Sequence, residues 1–270
     1  MSKLAKRTII GSILGAILVV VLYVHPLAVF IVLLLWIALA TNEFLRILEA
    51  KQIYLNRFLL IGLNLLFPIM FYLKGWFILY LALPIILFLY ALIKREQYYL
   101  VVTAGVFTLF YLGFLPTHLL YLKVWAWEQN FPLFRGFFIV FFPLVLTWVN
   151  DTAAYFVGTL IGRHKLAEKI SPNKTIEGFI GSIVVSVIFS FFYLRALFPN
   201  ITTFISLGTG LFLSVAAQLG DLAESGFKRD AGLKDSSRVL GEHGGFLDRV
   251  DSLLFTIPIF YYILIYIIVT

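Results

Sequence analysis

The sequence has no cysteine among its 270 residues, and only 13% of them are charged. The missing thiols exclude disulfide bonds, cysteine nucleophiles and thiolate metal ligands. The scarcity of charge is matched by 61% hydrophobic residues, including 28 phenylalanines, and by a mean hydropathy of +0.99. These values lie far outside the range of ordinary soluble domains, so the composition favours an integral membrane protein.

Three familiar signals are missing as well. The sequence contains neither GxxxxGK[ST] nor GxGxxG, so we do not expect a nucleotide-binding fold of the soluble type. No small-x-small cleavage site follows the first apolar run, Thr8–Val24. We therefore predict that this run is a retained membrane anchor and not a signal peptide.

Apolar runs long enough to cross a hydrocarbon core of roughly 30 Å recur along the chain. They predict an all-α polytopic integral membrane protein with about nine transmembrane helices. We expect an N-terminal bundle of about five helices at 1–140 and a catalytic region at 141–270. The nine predicted spans are Thr8–Val24, Leu27–Ile47, Leu55–Leu73, Trp76–Ile93, Leu100–Leu122, Phe134–Ile161, Thr175–Phe198, Phe204–Ala223 and Phe246–Ile268.

The positive charges are distributed unevenly between the two predicted sides of the membrane. With nine helices, the N-terminus and the even-numbered loops share one side, which then holds 17 of the 21 Lys and Arg residues. Positive residues mark the cytoplasmic side, so we expect a cytoplasmic N-terminus, cytoplasmic polar loops and an external C-terminus. The retention of positive residues on the cytoplasmic side, together with their attraction to anionic lipid headgroups, explains most of the Lys and Arg residues in the first half of the chain.

Two polar segments interrupt the apolar second half of the chain. They are "GRHKLAEKISPNKTIEG" (Gly162–Gly178) and "SGFKRDAGLKDSSRVLGEHGGFLDRVDS" (Ser225–Ser252), and the nine-helix topology places both on the cytoplasmic face. Acidic residues accompany them at membrane depth or at its edge. A charged residue near the bilayer centre costs roughly 2.5–3.5 kcal/mol and usually faces a polar interior. These acids are Asp151, Asp221, Glu224, Asp248 and Asp251.

The spacing of the acids predicts two pairs. Asp221 and Glu224 are three residues apart, as are Asp248 and Asp251, so each pair can share one helix face. A purely structural role also stays open for each acid. In that alternative, Asp248 or Asp251 serves only to offset the dipole of a helix N-terminus, and Glu224 serves only as the ion-pair partner of Lys228.

The residue types in these segments indicate a ligand. Carboxylates without cysteine favour a hard cation such as Mg²⁺, which binds through one or two carboxylates and substrate phosphates. In the second segment, five Lys and Arg residues together with Gly232, Gly241, Gly244 and Gly245 favour phosphate oxygens. The combination predicts metal-assisted phosphoryl or nucleotidyl transfer onto a lipid. His243 is left open between an acid–base group, a phosphate hydrogen-bond donor and a structural residue.

The stretch "SPNKT" (Ser171–Thr175) predicts a helix start. Ser171 is a suitable N-cap and Pro172 a suitable first helical residue. Such a helix N-terminus, with Lys174, could hold an anion. The alternative is an ordinary helix start before the seventh span.

The second polar segment resembles the signature of the phosphatidate cytidylyltransferases (CDP-diacylglycerol synthases). Its matching elements run in the family order, from Ser225 through the Lys228-Arg229 and Lys234-Asp235 pairs to His243-Gly244-Gly245 and Asp248-Arg249-Val250-Asp251. The upstream stretch also resembles the family, at Asp151, Ala154-Tyr155, Gly158, Gly162, Ser171-Pro172, Lys174-Thr175 and Glu177-Gly178. The resemblance covers roughly Asn150–Ser252 and carries no site residue over from the first 140 residues.

The resemblance implies that phosphatidate and CTP give CDP-diacylglycerol and pyrophosphate for phospholipid synthesis, with Mg²⁺ as cofactor and a second cation left open. It implies a bacterial inner membrane protein whose active site faces the cytoplasm. The partners expected are CTP, phosphatidate and membrane lipids, with no nucleic acid; a homodimer is left open.

We expect three groups of site residues from the resemblance and the chemistry of each side chain. The metal ligands are Asp221, Asp248 and, as the next candidate, Asp251. The catalytic residues are Asp221, Lys228, Arg229, Lys234, His243, Asp248 and Arg249. The substrate-binding residues are Asp151, Tyr155, Ser171, Lys174, Thr175, Arg238, Gly244 and Gly245.

Two other functions remain as alternatives. A CTP-dependent lipid kinase of the dolichol or phytol type has similar polar segments but transfers the γ-phosphate to an alcohol. The complete His-Gly-Gly and Asp-Arg-x-Asp pattern favours the cytidylyltransferase. A transporter of an anionic solute would show broken helices in two related halves, whereas the polar residues here cluster in one half.

Overall fold

The fold comes from a computed structural model that describes residues 15–74, 80–94, 97–237, 239 and 244–269. Residues 8–14 of the first predicted span lie outside these residues, and its described part is helical at 15–23. Two predicted site residues, Arg238 and His243, also lie outside them.

Contacts divide the chain into two units. Unit 1 comprises Met1–Asn130 and Ala231–Arg249, and unit 2 comprises Phe131–Asp230 and Val250–Thr270. The second polar segment therefore contributes to both units. Its helical part up to Asp230 and its last residues from Val250 belong to unit 2, and the loop Ala231–Arg249 belongs to unit 1. The predicted division at 140 and 141 stays a prediction.

Unit 1 is built from helices. Asn64 of the helix Arg57–Tyr72 donates from Nδ2 to Thr41 Oγ1 of the helix Pro26–Ala50, at 2.9 Å, in an otherwise leucine-rich core. Asn56 caps the helix Arg57–Tyr72 by accepting from the Leu59 N–H at 3.0 Å. The elements are α1 (Pro26–Ala50), α2 (Arg57–Tyr72), α3 (Ala82–Lys94), α4 (Tyr98–Thr108), a π-helical turn (Leu109–Phe114), α5 (Leu115–Glu128) and a 3₁₀ turn (Leu247–Arg249).

Unit 2 contains four helices and a small hairpin. Its α-helices pack on one another in chain order, and the first also packs on the last. The hairpin is a two-stranded antiparallel sheet in which Lys165 faces Thr175 and Ala167 faces Ser171. The elements are α6 (Leu133–Ile161), β1 (Lys165–Ala167), β2 (Ser171–Thr175), α7 (Ile176–Leu197), α8 (Thr203–Asp230) and α9 (Leu253–Ile263), which a π-helical turn (Leu264–Ile268) extends.

Buried polar side chains connect α6, α7 and α8. Asn150 of α6 accepts at Oδ1 from Ser186 Oγ of α7 at 3.3 Å and from Ser214 Oγ of α8 at 2.6 Å. Ser190 Oγ donates to the Ser206 carbonyl at 2.8 Å. All four of these serines and Asn150 are fully buried. Small residues let helices approach closely, and hydrogen bonds between them add to packing in an apolar medium.

Helix length and apolarity confirm a polytopic all-α membrane protein. Five described helical segments are long and apolar enough to cross a membrane: Pro26–Ala50, Tyr98–Glu128, Leu133–Ile161, Ile176–Leu197 and Thr203–Asp230. Three shorter apolar helices, Arg57–Tyr72, Ala82–Ile93 and Leu253–Ile268, coincide with further predicted spans. The count of nine crossings and the side on which each loop lies stay predictions.

The helices of the last two predicted spans begin and end at other residues than those spans. The helix of the eighth continues to Asp230, past the predicted Ala223, so Lys228 and Arg229 lie on the helix and not in a loop. The ninth helix begins at Leu253 instead of Phe246. Asp248 consequently lies in a 3₁₀ turn and Asp251 in a turn, and they do not share a helix face as predicted.

The predicted helix start at Ser171 is also wrong. Residues Ser171–Thr175 form β2, because the preceding turn brings them alongside β1. The helix is capped instead by Thr175, whose Oγ1 accepts from the Gly178 N–H at 3.1 Å. Pairing with a strand four to ten residues upstream thus overrides the local signal of Pro172.

Candidate active site

Unit 2 contains a cavity of about 700 Å³ formed by α6, the hairpin, α7 and α8. Five residues predicted to bind substrate or metal line it together, although they are spread over 71 positions of sequence. They are Asp151, Tyr155, Lys174, Thr175 and Asp221. The cavity is the strongest candidate for the active site in unit 2.

Lys174 joins the hairpin to α8 inside this cavity. Its Nζ lies 2.7 Å from Asp221 Oδ2 and donates to Gln218 Oε1 at 3.1 Å. The side chains of Lys174 and Asp221 are 20% and 31% exposed, so water screens the ion pair and its contribution to stability is small. A cation can therefore compete for the carboxylate, and an anion for the ammonium.

Carboxylates surround one end of the cavity. Asp151 and Asp221 both line it, and the backbone of Asp251 and Ser252 packs on Gly220, one residue before Asp221. Burial first, and then the negative charge of Asp221, raise the pKa of the Asp251 carboxyl. Among the described residues, no three His, Asp or Glu side chains group closely enough to hold a metal by themselves.

This arrangement fits a hard cation that shares its coordination with a substrate. Mg²⁺ keeps several waters and takes one or two carboxylates plus phosphate oxygens, and it needs no all-protein cage. Asp221 already lies against a positive charge, the ammonium of Lys174. The donor set of unit 2 is thus compatible with a metal–phosphate complex.

The hairpin that carries Lys174 is fixed at its base. The Glu177 carboxylate accepts from the backbone N–H groups of Arg163 at 3.0 Å and His164 at 3.2 Å, and it contacts His164 Nδ1 at 2.6 Å. Lys165 Nζ donates across the hairpin to the Pro172 carbonyl at 2.7 Å. These bonds hold the strand that presents Lys174 to the cavity.

The cations at the end of α8 have partners within unit 2. Lys228 Nζ lies 2.5 Å from Glu224 Oε2, and Glu224 is fully buried. The structural reading of Glu224 as the partner of Lys228 is therefore confirmed as a contact. Arg229 donates from Nε to the Ile170 carbonyl at 3.2 Å, which ties the hairpin tip to α8. The predicted catalytic roles of Lys228 and Arg229 stay predictions.

Ser171, at the start of β2 in unit 2, does not line the cavity, and the remaining described site residues belong to unit 1. The Asp248 carboxylate accepts from the Gly245 N–H at 2.7 Å and the Ser236 N–H at 3.1 Å. Gly244 has φ +80, a backbone conformation that favours glycine. Lys234 and Arg249 are exposed.

One buried carboxylate in unit 1 was missed by the sequence analysis. Glu43 of α1 is 1% exposed and accepts four hydrogen bonds from the loop that carries the signature. It is the single acid in the apolar run Leu27–Ile47. The cost of a charge at membrane depth could have identified it.

Comparison with known proteins agrees with the signature. A model of the cytidylyltransferase family matches residues 5–267. A protein of Bacillus subtilis named phosphatidate cytidylyltransferase is 36% identical over 270 aligned positions, which cover 96% of this chain and 97% of the relative. Proteins of the same name from Staphylococcus aureus and Staphylococcus haemolyticus are 47% and 46% identical over 131 and 130 residues. The chain matches about half the length of these staphylococcal relatives.

Proposed function

The chain belongs to the cytidylyltransferase family, and we propose that it transfers the cytidylyl group of CTP to phosphatidate, giving CDP-diacylglycerol and pyrophosphate. The observation that carries the proposal is its similarity, over almost the full length of both chains, to the Bacillus subtilis phosphatidate cytidylyltransferase. The cavity of unit 2 supports it, because carboxylates and a lysine meet there beside apolar helices.

The proposed reaction is a single displacement at phosphorus. A phosphate oxygen of phosphatidate attacks the α-phosphorus of CTP, a new P–O bond forms, and the bond from the α-phosphorus to the bridging oxygen breaks. Pyrophosphate leaves with that oxygen. No covalent intermediate with the protein is required, so the protein contributes by positioning the reactants and neutralising charge.

The residues of the cavity have proposed roles in this reaction. Lys174, released from Asp221, would bind phosphate oxygens. Asp151 and Tyr155 lie one helical turn apart on α6 and would line the place where the lipid headgroup enters. Lys228 and Arg229 at the end of α8 are proposed to oppose the charge of the triphosphate.

We propose Mg²⁺ as the cofactor, with Asp221 and Asp251 as its ligands in unit 2. Asp248 keeps the ligand role that the signature implies for it. The ion would supply positive charge against the phosphate oxygens as the leaving group departs. The partial exposure of the Asp221 carboxylate supports this assignment, because a hydrated cation can reach it.

Isotopic labels in CTP distinguish this function from a lipid kinase. With phosphatidate as acceptor, we expect α-phosphate label in the organic-extractable product and γ-phosphate label in aqueous pyrophosphate. A kinase would place γ-label in the lipid and release CDP. Diacylglycerol is the matched control acceptor, because it lacks only the phosphate that attacks; it should take up neither label. Transfer of γ-label to diacylglycerol without α-label in any lipid would refute the proposal.

The protein is integral to the membrane, and we propose that it resides in a bacterial inner membrane with its active site facing the cytoplasm. The charge asymmetry of the predicted loops supports this orientation. A reporter fused after Thr270 should be active only on the external side, while the same reporter at the N-terminus should be active only in the cytoplasm. A cytoplasmic signal from both fusions would contradict the nine-helix topology.

A further inference from the structure

Glu43 has a hydrogen-bonding pattern that its position in an apolar helix does not require. Its Oε1 accepts from Ser237 Oγ at 2.5 Å and from the Phe246 N–H at 2.9 Å. Its Oε2 accepts from Ser236 Oγ at 2.9 Å and from the Leu247 N–H at 2.7 Å. Each oxygen thus accepts one hydroxyl and one backbone N–H.

These four donors come from two stretches of the same loop. Ser236 and Ser237 lie before Gly244 and Gly245 in the sequence, and Phe246 and Leu247 follow them. One buried carboxylate on a long helix therefore holds both stretches in one place. A second contact on the same helix supports this, since Trp36 packs edge-on against Phe246 with ring centroids 6.1 Å apart.

The Glu43 contacts are continuous with those of Asp248. Ser236 gives its hydroxyl hydrogen to Glu43 and its backbone hydrogen to Asp248. The Gly245 N–H is taken by Asp248, while the next two N–H groups go to Glu43. Displacing the Glu43 carboxylate would therefore also disturb the Asp248 carboxylate.

We infer that Glu43 is a positioning residue for the nucleotide-binding part of the signature: it fixes the loop so that Gly244, Gly245 and Asp248 are presented in one geometry. This inference rests on the proposed function, because that function gives the loop a triphosphate to bind. When the loop leaves this geometry, a smaller fraction of the protein can bind the nucleotide. The apparent affinity for the nucleotide falls in proportion to that fraction.

The substitution Glu43→Gln tests the inference with almost no change in shape. A glutamine has one carbonyl oxygen and one NH₂ group. In either orientation the NH₂ group faces a backbone N–H, from Phe246 or Leu247, and that bond is lost. A serine hydroxyl can reverse its direction and accept, but a backbone N–H cannot. The loss of a hydrogen bond to a charged group corresponds to about tenfold to a hundredfold in an equilibrium.

We expect Glu43→Gln to raise the KM for CTP about tenfold or more and to leave the KM for phosphatidate unchanged. Hydrogen exchange at the Phe246 and Leu247 amides should accelerate by a similar factor. Simple loss of folded protein would lower the maximal rate and change neither KM. Glu49→Gln is the matched control: Glu49 lies on the same helix, pairs with Arg57 at 2.8 Å, and should behave as wild type.

Unchanged KM for CTP together with unchanged amide exchange in Glu43→Gln would overturn the inference. If that variant fails to accumulate, Ser237→Ala removes a single donor and should still raise the KM for CTP and the exchange rates severalfold; wild-type values would overturn the inference equally. Failure of the proposed function is distinguishable. In that case the wild type itself incorporates no α-label, while the amide exchange of the variants still reports whether Glu43 holds the loop.

Discussion

Replacing Asp221 with asparagine should reduce CDP-diacylglycerol formation by about a hundredfold to a thousandfold, the range seen when one electrostatic contact to the transition state is removed. The substitution keeps the shape of the side chain and removes its charge. It abolishes the ion pair with Lys174 and the proposed Mg²⁺ ligand together. The measurement is transfer of α-label from CTP to lipid by purified protein at saturating substrate.

Asp230→Asn is the matched control for this variant. Asp230 is exposed at the end of the same helix, and the change in charge is identical; its activity should remain near wild type. Partial recovery of Asp221→Asn at high Mg²⁺ or with Mn²⁺ would favour direct ligation over a structural role. An Asp221→Asn protein that turns over at the wild-type rate would remove Asp221 from the site.

Replacing Gly245 with alanine should lower activity by about a hundredfold. A Cβ there would meet Ser236 Oγ first, then Glu43 Oε2 at 2.7 Å and the Ser237 backbone nitrogen at 2.8 Å. Such overpacking costs about 1–3 kcal/mol, and the backbone can relieve it only by moving the N–H that Asp248 accepts. Both anchors of the loop would be displaced. Label transfer and the thermal unfolding temperature in detergent measure the two consequences.

Gly62→Ala provides the comparison within the same unit. Gly62 lies on α2, where an added Cβ meets nothing within 4 Å. Alanine is favoured over glycine inside a helix by up to about 1 kcal/mol, so this variant should be at least as stable as wild type and fully active. Equal activity of the Gly245→Ala and Gly62→Ala proteins would contradict the crowding described at Gly245.

The helices were predictable from sequence because their signal is local. An apolar run of the right length is sufficient, and α1 and α6 begin and end within three residues of the predicted spans. The hairpin was not predictable in this way. The Ser-Pro pair at Ser171 fits a helix start, but its conformation is decided by pairing with β1, which a local pattern does not contain.

The candidate site was predictable in part. The family resemblance indicated Lys174 and the spacing of the acids indicated Asp221, but neither could reveal that the two pair with each other across 47 positions of sequence. The contacts of Glu43 were hidden for the same physical reason, although its charge within an apolar run is visible in the sequence. Its partners lie 193 to 204 residues away, and neither spacing nor hydropathy reports a contact between an apolar helix and a distant loop.

The hydrogen bonds of Asn150 have a consequence for the orientation of α6. Its amide oxygen is held from two directions, by Ser186 of α7 and Ser214 of α8, so the helix cannot turn about its own axis without breaking both bonds in an apolar surrounding. Successive residues of an α-helix are about 100° apart around that axis. The two bonds of Asn150 therefore fix the rotation of α6 about its axis. That rotation also fixes the direction of the next side chain, Asp151, which lines the cavity. Hydrogen bonds in the core of the helix bundle thus determine where this carboxylate lies.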